Sequence, residues 1–140
     1  MTDLPENLTK GAAAILATAD PREKVALSRE LAARWRSGTL SIGRAGAPAR
    51  PARPDRPRLH PPRDMPKRRN FGSPAGRIAL LHALAHIELN AIDLAWDIIA
   101  RFADGEAPRD FCEDWAGIAA EEAEHFALLA DRLTALGANY

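Results

Sequence analysis

Two apolar stretches of the chain decide its fold. Residues 73–102 read SPAGRIALLHALAHIELNAIDLAWDIIARF, and residues 111–137 read FCEDWAGIAAEEAEHFALLADRLTALG. The first stretch opens on Ser73 and Pro74, which are typical of a helix N-cap and of the first helical position. Because the next proline is Pro108, the sequence predicts one helix from 74 to about 103, roughly 45 Å long at 1.5 Å per residue.

The second stretch predicts a helix of similar length. Asp104 and Gly105 indicate a turn, Pro108 opens the helix and Gly137 closes it. Consecutive helices with so short a connection form an antiparallel hairpin. Helices this long need burial on more than one side, and a four-helix bundle supplies it. The predicted fold is therefore all-α, a long antiparallel helical hairpin that is half of such a bundle.

Two shorter helices are predicted before the hairpin. Asp20 at the N-cap, Pro21 at the first helical position and Glu23 at the third form a start signal, and the helix runs to about residue 36. A shorter helix spans about residues 8–17. Both can cover part of a core. The longer helix carries a loose apolar stripe: Val25, Leu27, Leu31, Ala32 and Trp35.

The chain between these helices differs in composition and charge. Seven of the eleven prolines fall between residues 48 and 66, in the run PARPARPDRPR and after it, which favours extended conformation. Residues 36–71 carry a net charge of +8 and residues 72–140 a net charge of −8, so the overall charge of zero is a sum of opposed blocks. We expect three regions: an N-terminal helical region at 1–40, an Arg/Pro-rich extended linker at 41–72 and the helical hairpin at 73–140.

The composition also excludes several classes of protein. The chain has no run of about 18 apolar residues and its start, MTDLPENLTK, lacks the features of a signal peptide, so we expect a cytoplasmic protein with no membrane partner. Cys112 is the single cysteine, which leaves no intramolecular disulfide and no cysteine-based metal site.

Each long helix carries a glutamate in the middle of its apolar stripe. At 100° per residue, the apolar positions lie within about 60° of Glu88 and of Glu122, and His125 lies about 60° from Glu122 on the same face. Burying an unpaired carboxylate costs several kcal/mol, and no Lys or Arg lies on either stripe. A cation from solution is the simplest compensation; a carboxylate bonded to a neighbouring helix is the alternative.

The spacing indicates which cation site this is. In carboxylate-bridged di-iron and di-manganese bundles, two helices each give a Glu and the other two each give Glu-x-x-His. This hairpin has one of each, so Glu88, Glu122 and His125 are the predicted metal ligands. Two such halves related by a twofold axis would supply four carboxylates and two imidazoles. These ligands suit iron or manganese, with zinc as an alternative.

The two stretches, together with ADPREKVALSRELAARWRSG at 19–38 and PPRDMPKRR at 61–69, resemble the ferritin-like family of domain of unknown function 455. The resemblance spans nearly the whole chain and implies that Glu88, Glu122 and His125 are metal ligands. Members of that family are roughly twice as long and continue into two more helices, which supply the second Glu and Glu-x-x-His. We therefore expect either a truncated relative or self-association of two chains to complete the bundle.

The expected function is O₂-dependent oxidation or hydroxylation of an unknown substrate at a di-iron or di-manganese site, as in a di-iron oxidoreductase. One alternative is non-catalytic iron binding or storage, and another is a metal-free helical interaction module. His82 and His86 lie about 120° and 160° from Glu88 and are not expected to be ligands. Tyr140, at the end of the sequence, is expected to be frayed.

The basic segment has two interpretations. Nucleic-acid binding through its arginines, densest at residues 67–69, is the less favoured, because no aromatic side chains alternate with them for base stacking. In the favoured interpretation the segment lies across the acidic helices of its own chain, on the ground of charge complementarity.

Overall fold

The computed structural model describes residues 5–65 and 70–140. The predicted densest point of the basic segment, at 67–69, lies outside these residues. Within the two described ranges the protein is all-α, as predicted: it contains four α-helices, a 3-10 turn at Pro62–Asp64 and an isolated β-bridge between Asn7 and Ser41. The 3-10 turn is a short exception within the segment that the sequence predicts to be extended.

The two N-terminal helices begin at capping side chains. Helix α1 (Leu8–Leu16) follows Asn7, and helix α2 (Pro21–Arg36) follows Asp20. Each of these side chains accepts a hydrogen bond of 2.9 Å from the backbone N–H of the third helical residue. The bonds satisfy donors that the first turn of a helix leaves unpaired. After α2, Gly38 has a φ of +77°, as a glycine at the end of a helix commonly does.

The two long helices follow the predicted boundaries to within a residue or two. Helix α3 (Pro74–Phe102) starts after Ser73, whose Oγ accepts a hydrogen bond of 3.0 Å from the third helical residue. Helix α4 (Arg109–Ala135) starts after Pro108 and is followed by Gly137 at a φ of +79°. The short connection at 103–108 makes α3 and α4 neighbours along the chain and in space.

The four helices share one apolar core. Helices α3 and α4 pack along one another, α1 lies against α3 and α2 lies against α4. The five apolar residues predicted for the α2 stripe are all buried, and Trp35, Trp96 and Phe126 are among the largest fully buried side chains. Trp96 Nε1 donates a hydrogen bond of 2.9 Å to Ser28 Oγ, which joins α2 to α3 across the core. Helices α1 and α2 therefore cover one side of the α3–α4 hairpin.

The chain after α2 returns over the same core. Leu40 and Ile42 are buried in it, and the Ile42 carbonyl accepts a hydrogen bond of 3.0 Å from the α1 backbone. Farther along, the N–H of Ala52 donates a hydrogen bond of 2.7 Å to the carbonyl of Leu16 at the end of α1. Whether the chain divides into the three predicted regions stays a prediction.

Two arginines of this segment contact the acidic hairpin. Arg44 Nη2 lies 3.1 Å from Asp104 Oδ2, and Arg53 Nη1 donates a hydrogen bond of 2.6 Å to Asn90 Oδ1. These two side chains thus bring the segment into contact with the hairpin, and its lying across the acidic helices through charge complementarity stays a prediction. Nucleic-acid binding stays the untested alternative.

The other side of the hairpin, away from α1 and α2, is exposed in the described part of the chain. We call it the open face. Seven large apolar side chains that are more than a third exposed lie along it: Leu84, Ile87, Leu94 and Phe102 on α3, Ile118 and Leu128 on α4, and Leu136 directly after α4. Exposed apolar rows of this size are uncommon on monomeric proteins and are typical of interaction surfaces.

Helix α3 is also the one described helix that is long and apolar enough to cross a bilayer. Its most apolar window has a mean hydropathy of 1.4, and the criterion is one of length and composition only. A core helix of a soluble protein meets the same criterion. The absence of a membrane partner therefore stays a prediction.

Candidate metal centre

Glu88, Glu122 and His125, here called the triad, meet where α3 and α4 pack together. Each residue offers one ligand atom, and the three atoms lie within 4.8 Å of one another. His125 Nδ1 lies 3.3 Å from Glu122 Oε2 and 3.7 Å from Glu88 Oε2. The three-residue spacing on α4 places Glu122 and His125 on one side of that helix. The structure thus brings the predicted ligands together, and their binding of a metal stays a prediction.

The triad is half open and is not enclosed by the core. The side chains of the two glutamates are 23% and 22% exposed, and the imidazole is 53% exposed. The apolar stripe around Glu88 is divided: Ala85 and Ile92 are buried, whereas Leu84 and Phe102 are exposed. The division arises because α1 and α2 cover only one side of the hairpin. The triad consequently faces the open face.

The two carboxyl groups affect each other. Hydrogen bonding to Glu122, partial burial and the like charge of Glu122 raise the pKa of Glu88, and His125 opposes this shift. Among the described residues, His125 is the basic side chain within ion-pair distance of the carboxylates, and no Lys or Arg is. A single imidazole therefore compensates two adjacent carboxylates only in part.

The donor set of the triad fits a divalent transition metal. Carboxylate oxygens and an imidazole nitrogen are ligands of iron, manganese and zinc, whereas calcium and magnesium take oxygen ligands. Three protein ligands leave other coordination positions open, which is the pattern of catalytic sites. The fit rests on this chemistry and on the incomplete charge compensation of the two glutamates.

His82 and His86 form a separate cluster with Tyr140. The rings of His82 and Tyr140 stack with centroids 5.0 Å apart, and His86 Nδ1 lies 2.8 Å from Tyr140 Oη. The Tyr140 ring also meets Phe126 edge to face, with centroids 5.3 Å apart. The prediction that Tyr140 is frayed is therefore wrong. After Gly137 the chain turns back onto α3 and α4, where ring burial and a hydrogen bond offset the entropy of ordering the residue.

A buried ion pair on the covered side of the hairpin was not predicted. Lys24 Nζ donates a hydrogen bond to Asp93 Oδ1, and the two side chains are 1% and 6% exposed. Asp93 Oδ2 accepts no hydrogen bond, and Arg53 Nη1 lies 3.9 Å from it. Burial lowers the pKa of Lys24 and raises that of Asp93, and the attraction between them opposes both shifts.

The sequence did contain a signal for this pair. Lys24 precedes three buried residues of α2 by four, seven and eleven positions, which is the spacing of one helical face: Ser28, Leu31 and Trp35. A lysine in that register points into the core, and its burial requires an acidic partner on a facing helix.

Comparison with known proteins places the chain in a family without an assigned activity. A model of the family described as "Protein of unknown function (DUF455)" matches residues 17–140, which include α2, α3, α4 and the triad. A protein of Haemophilus influenzae described as an uncharacterized protein is 41% identical over 90 residues, which cover 61% of this chain and 31% of that protein. The chain thus matches about a third of the length of that relative. No solved structure matches the chain significantly. The family match covers most of the chain, and the chain belongs to the DUF455 family.

Proposed function

We propose that the chain is a ferritin-like metal-binding protein that holds iron through Glu88, Glu122 and His125, with manganese or zinc as alternatives. The observation that carries the proposal is that two carboxylates and an imidazole lie within 4.8 Å of one another on facing helices. One Glu on α3 and one Glu-x-x-His on α4 are half of the ligand set of carboxylate-bridged di-metal bundles. The α3–α4 hairpin is, on this proposal, the corresponding half-bundle.

The three ligands have different roles. The Glu88 and Glu122 carboxylates balance the charge of the ion and span both helices. The imidazole of His125 adds a nitrogen donor, and it must be neutral to bind. The buried side chains behind the triad, such as Ala85 and Ile92, keep water from the core side. The open face is then the direction from which a substrate or further ligands approach.

Completed by a second set of ligands, the site is a carboxylate-bridged di-iron or di-manganese centre, and the proposed activity is O₂-dependent oxidation or hydroxylation of an unknown substrate. The bound metal supplies the redox chemistry. The chain holds its two carboxylates side by side and orients His125. It leaves the triad accessible from the open face. The proposal places this oxidoreductase in the cytoplasm.

Metal analysis tests the proposal. The chain produced with iron and purified without oxygen is expected to retain iron. Glu122→Ala is expected to lose it, because the substitution removes one of the three ligands and leaves His125 without its Glu-x-x-His partner. Glu113→Ala changes an exposed carboxylate on the same helix and is expected to keep the wild-type iron content. Trace iron in the wild type, or full iron in Glu122→Ala, would contradict the proposal.

A second candidate is a function without turnover. The open face favours it, because Leu94 and Leu128 are 59% and 67% exposed and are suited to contact with another helix. Iron that is retained without any O₂ uptake would favour non-catalytic binding or storage. A chain that takes up no iron would instead favour a metal-free interaction module.

A further inference from the structure

The triad lies at the mid-length of both long helices. Glu88 is the central residue of α3, with fourteen residues on either side, and Glu122 is the central residue of α4, with thirteen on either side. A twofold axis in the plane of the open face, level with the triad, would set two triads opposite each other. It would also let two hairpins overlap along their whole length.

We propose that the open face binds a second copy of this chain and that this pairing requires a metal ion at the triads. The inference rests on the proposed function and adds to it the partner and the condition for assembly. Each copy would contribute one Glu and one Glu-x-x-His, so that two copies supply the ligand set of a complete di-metal bundle.

The open face is large enough for a stable interface. A helix of 27 residues is about 40 Å long, and two neighbouring helices are about 20 Å wide, which gives about 800 Å² on each copy. This is the area that each partner buries in a typical stable complex. The side chains available for burial include Ile87 and Leu94, each 59% exposed, and Phe102, 67% exposed.

Pairing requires a metal ion because the triads place charged carboxylates at the centre of that interface. Pairing would bring four carboxylates together and remove water from them, while the described residues within reach supply only two imidazoles. Without a cation the like charges and the lost hydration oppose the apolar contacts. Metal ions convert the same four carboxylates into ligands that hold both copies.

The central glutamates also distinguish a second copy from other occupants. A lipid surface would cover the apolar side chains but would have to take up Glu88 and Glu122 without compensation, which is costly in a bilayer. A second copy supplies the matching half of the site from its own open face. The covered side offers no such match, since α1 and α2 already occupy it.

The mass of the full chain in solution tests the pairing. With a chelator the chain is expected to sediment as a monomer of 15.2 kDa, and with ferrous iron under nitrogen its mass is expected to double. Leu94→Arg, on the open face, is expected to stay monomeric with iron. Leu59→Arg changes a side chain of similar exposure, 56%, in the extended segment and is expected to pair as the wild type does.

Neutralising the carboxylates tests the condition separately. The double variant Glu88→Gln with Glu122→Gln is expected to bind no iron and yet to pair in chelator, because the apolar face remains and the repulsion is gone. A double variant that stays monomeric would overturn repulsion as the control of assembly, and a wild type that pairs in chelator would overturn the need for metal.

The remaining outcomes separate this inference from the proposed function. Iron bound at the triad with the mass unchanged would overturn the pairing and leave the metal site standing. No bound iron would overturn the metal site itself and, with it, metal-dependent pairing. Flotation of the metal-free chain with phosphatidylcholine vesicles would assign the open face to lipid and overturn the second copy as its occupant.

Discussion

Three acidic side chains on apolar parts of the hairpin are compensated in different ways. Asp93 has a dedicated cation, Lys24, reached from α2, and the guanidinium of Arg53 lies nearby. Glu88 and Glu122 lie next to each other, and the imidazole of His125 is the basic group beside them. A carboxylate that is paired with a buried lysine stabilises the packing of the helices. Two carboxylates that lack a lysine or arginine partner can instead accept a ligand. On α3, this contrast distinguishes the structural ion pair of Asp93 from Glu88, a candidate metal ligand.

The Lys24–Asp93 pair gives a prediction about stability. Lys24→Met leaves the buried Asp93 carboxylate with only Arg53, 3.9 Å away, as a basic neighbour, so the free energy of unfolding is expected to fall by about 3–5 kcal/mol. Lys24→Met combined with Asp93→Leu removes both charges and is expected to recover most of that loss. Chemical denaturation measures all three proteins. Arg22→Met, which breaks an exposed ion pair of the same helix with Asp131, is the control and should cost less than about 1 kcal/mol.

Glu88 gives a prediction about pH. Because its pKa in the folded protein is raised, the neutral form is favoured by folding, and that contribution is present at acidic pH and lost as the pH rises through the folded-state pKa. Without metal at pH 7.5, Glu88→Gln is therefore expected to melt a few degrees above the wild type. At pH 4 the two melting temperatures should converge. Glu113→Gln serves as the control, and an equal gain from it would attribute the effect to net charge.

Helix ends are the elements that the sequence predicts best. Proline, glycine and capping residues act locally, so Asp20, Ser73 and Gly137 mark boundaries that the structure keeps to within a residue or two. Contacts between distant elements are less predictable. The stacking of Tyr140 on His82 depends on where the chain goes after α4, and a single sequence carries no local signal for that path.

The candidate site shows the same limit. Helical periodicity places Glu88 and Glu122 among apolar residues, and the i, i+3 spacing adds His125. Periodicity does not say which apolar neighbours are covered, because that depends on α1 and α2 packing on one side only. The exposure of Leu84 and Ile87 beside the triad is thus a property of the assembled helices.

Two glycines inside helices test how closely those helices pack. A Cβ on Gly11 of α1 would lie 2.7 Å from Cδ1 of the buried Leu31 on α2, whereas a Cβ on Gly117 of α4 would meet nothing within 4 Å. Gly11→Ala is therefore expected to destabilise the protein by about 1–3 kcal/mol, and Gly117→Ala to stabilise it by about 0.5–1 kcal/mol. Thermal and urea unfolding provide the comparison. Stabilisation of the protein by both substitutions would show that helix propensity outweighs the contact with Leu31.

The protein as a whole is layered by charge and by apolarity. The basic segment meets the acidic hairpin through Arg44, at the connection between α3 and α4, and through Arg53, beside Asp93 on the covered side. The apolar open face with its glutamates lies on the other side. The opposed charges of +8 and −8 in the sequence therefore correspond in part to a contact within one chain. The proposed metal site faces the open face, which the basic segment does not contact through Arg53.

Arg53 is the side chain through which that contact is best tested. It hydrogen-bonds Asn90 and lies beside Asp93, whereas Arg56, three residues on, is exposed. Both arginines precede proline, where trypsin does not cut, so replacing either leaves the cleavable bonds of the segment unchanged. Arg53→Ala is expected to speed cleavage after Arg58 several-fold, because the segment loses its hold on α3, and Arg56→Ala is expected to leave the rate unchanged. Equal rates in both variants would mean that backbone bonds, such as that of Ala52, hold the segment without its charge.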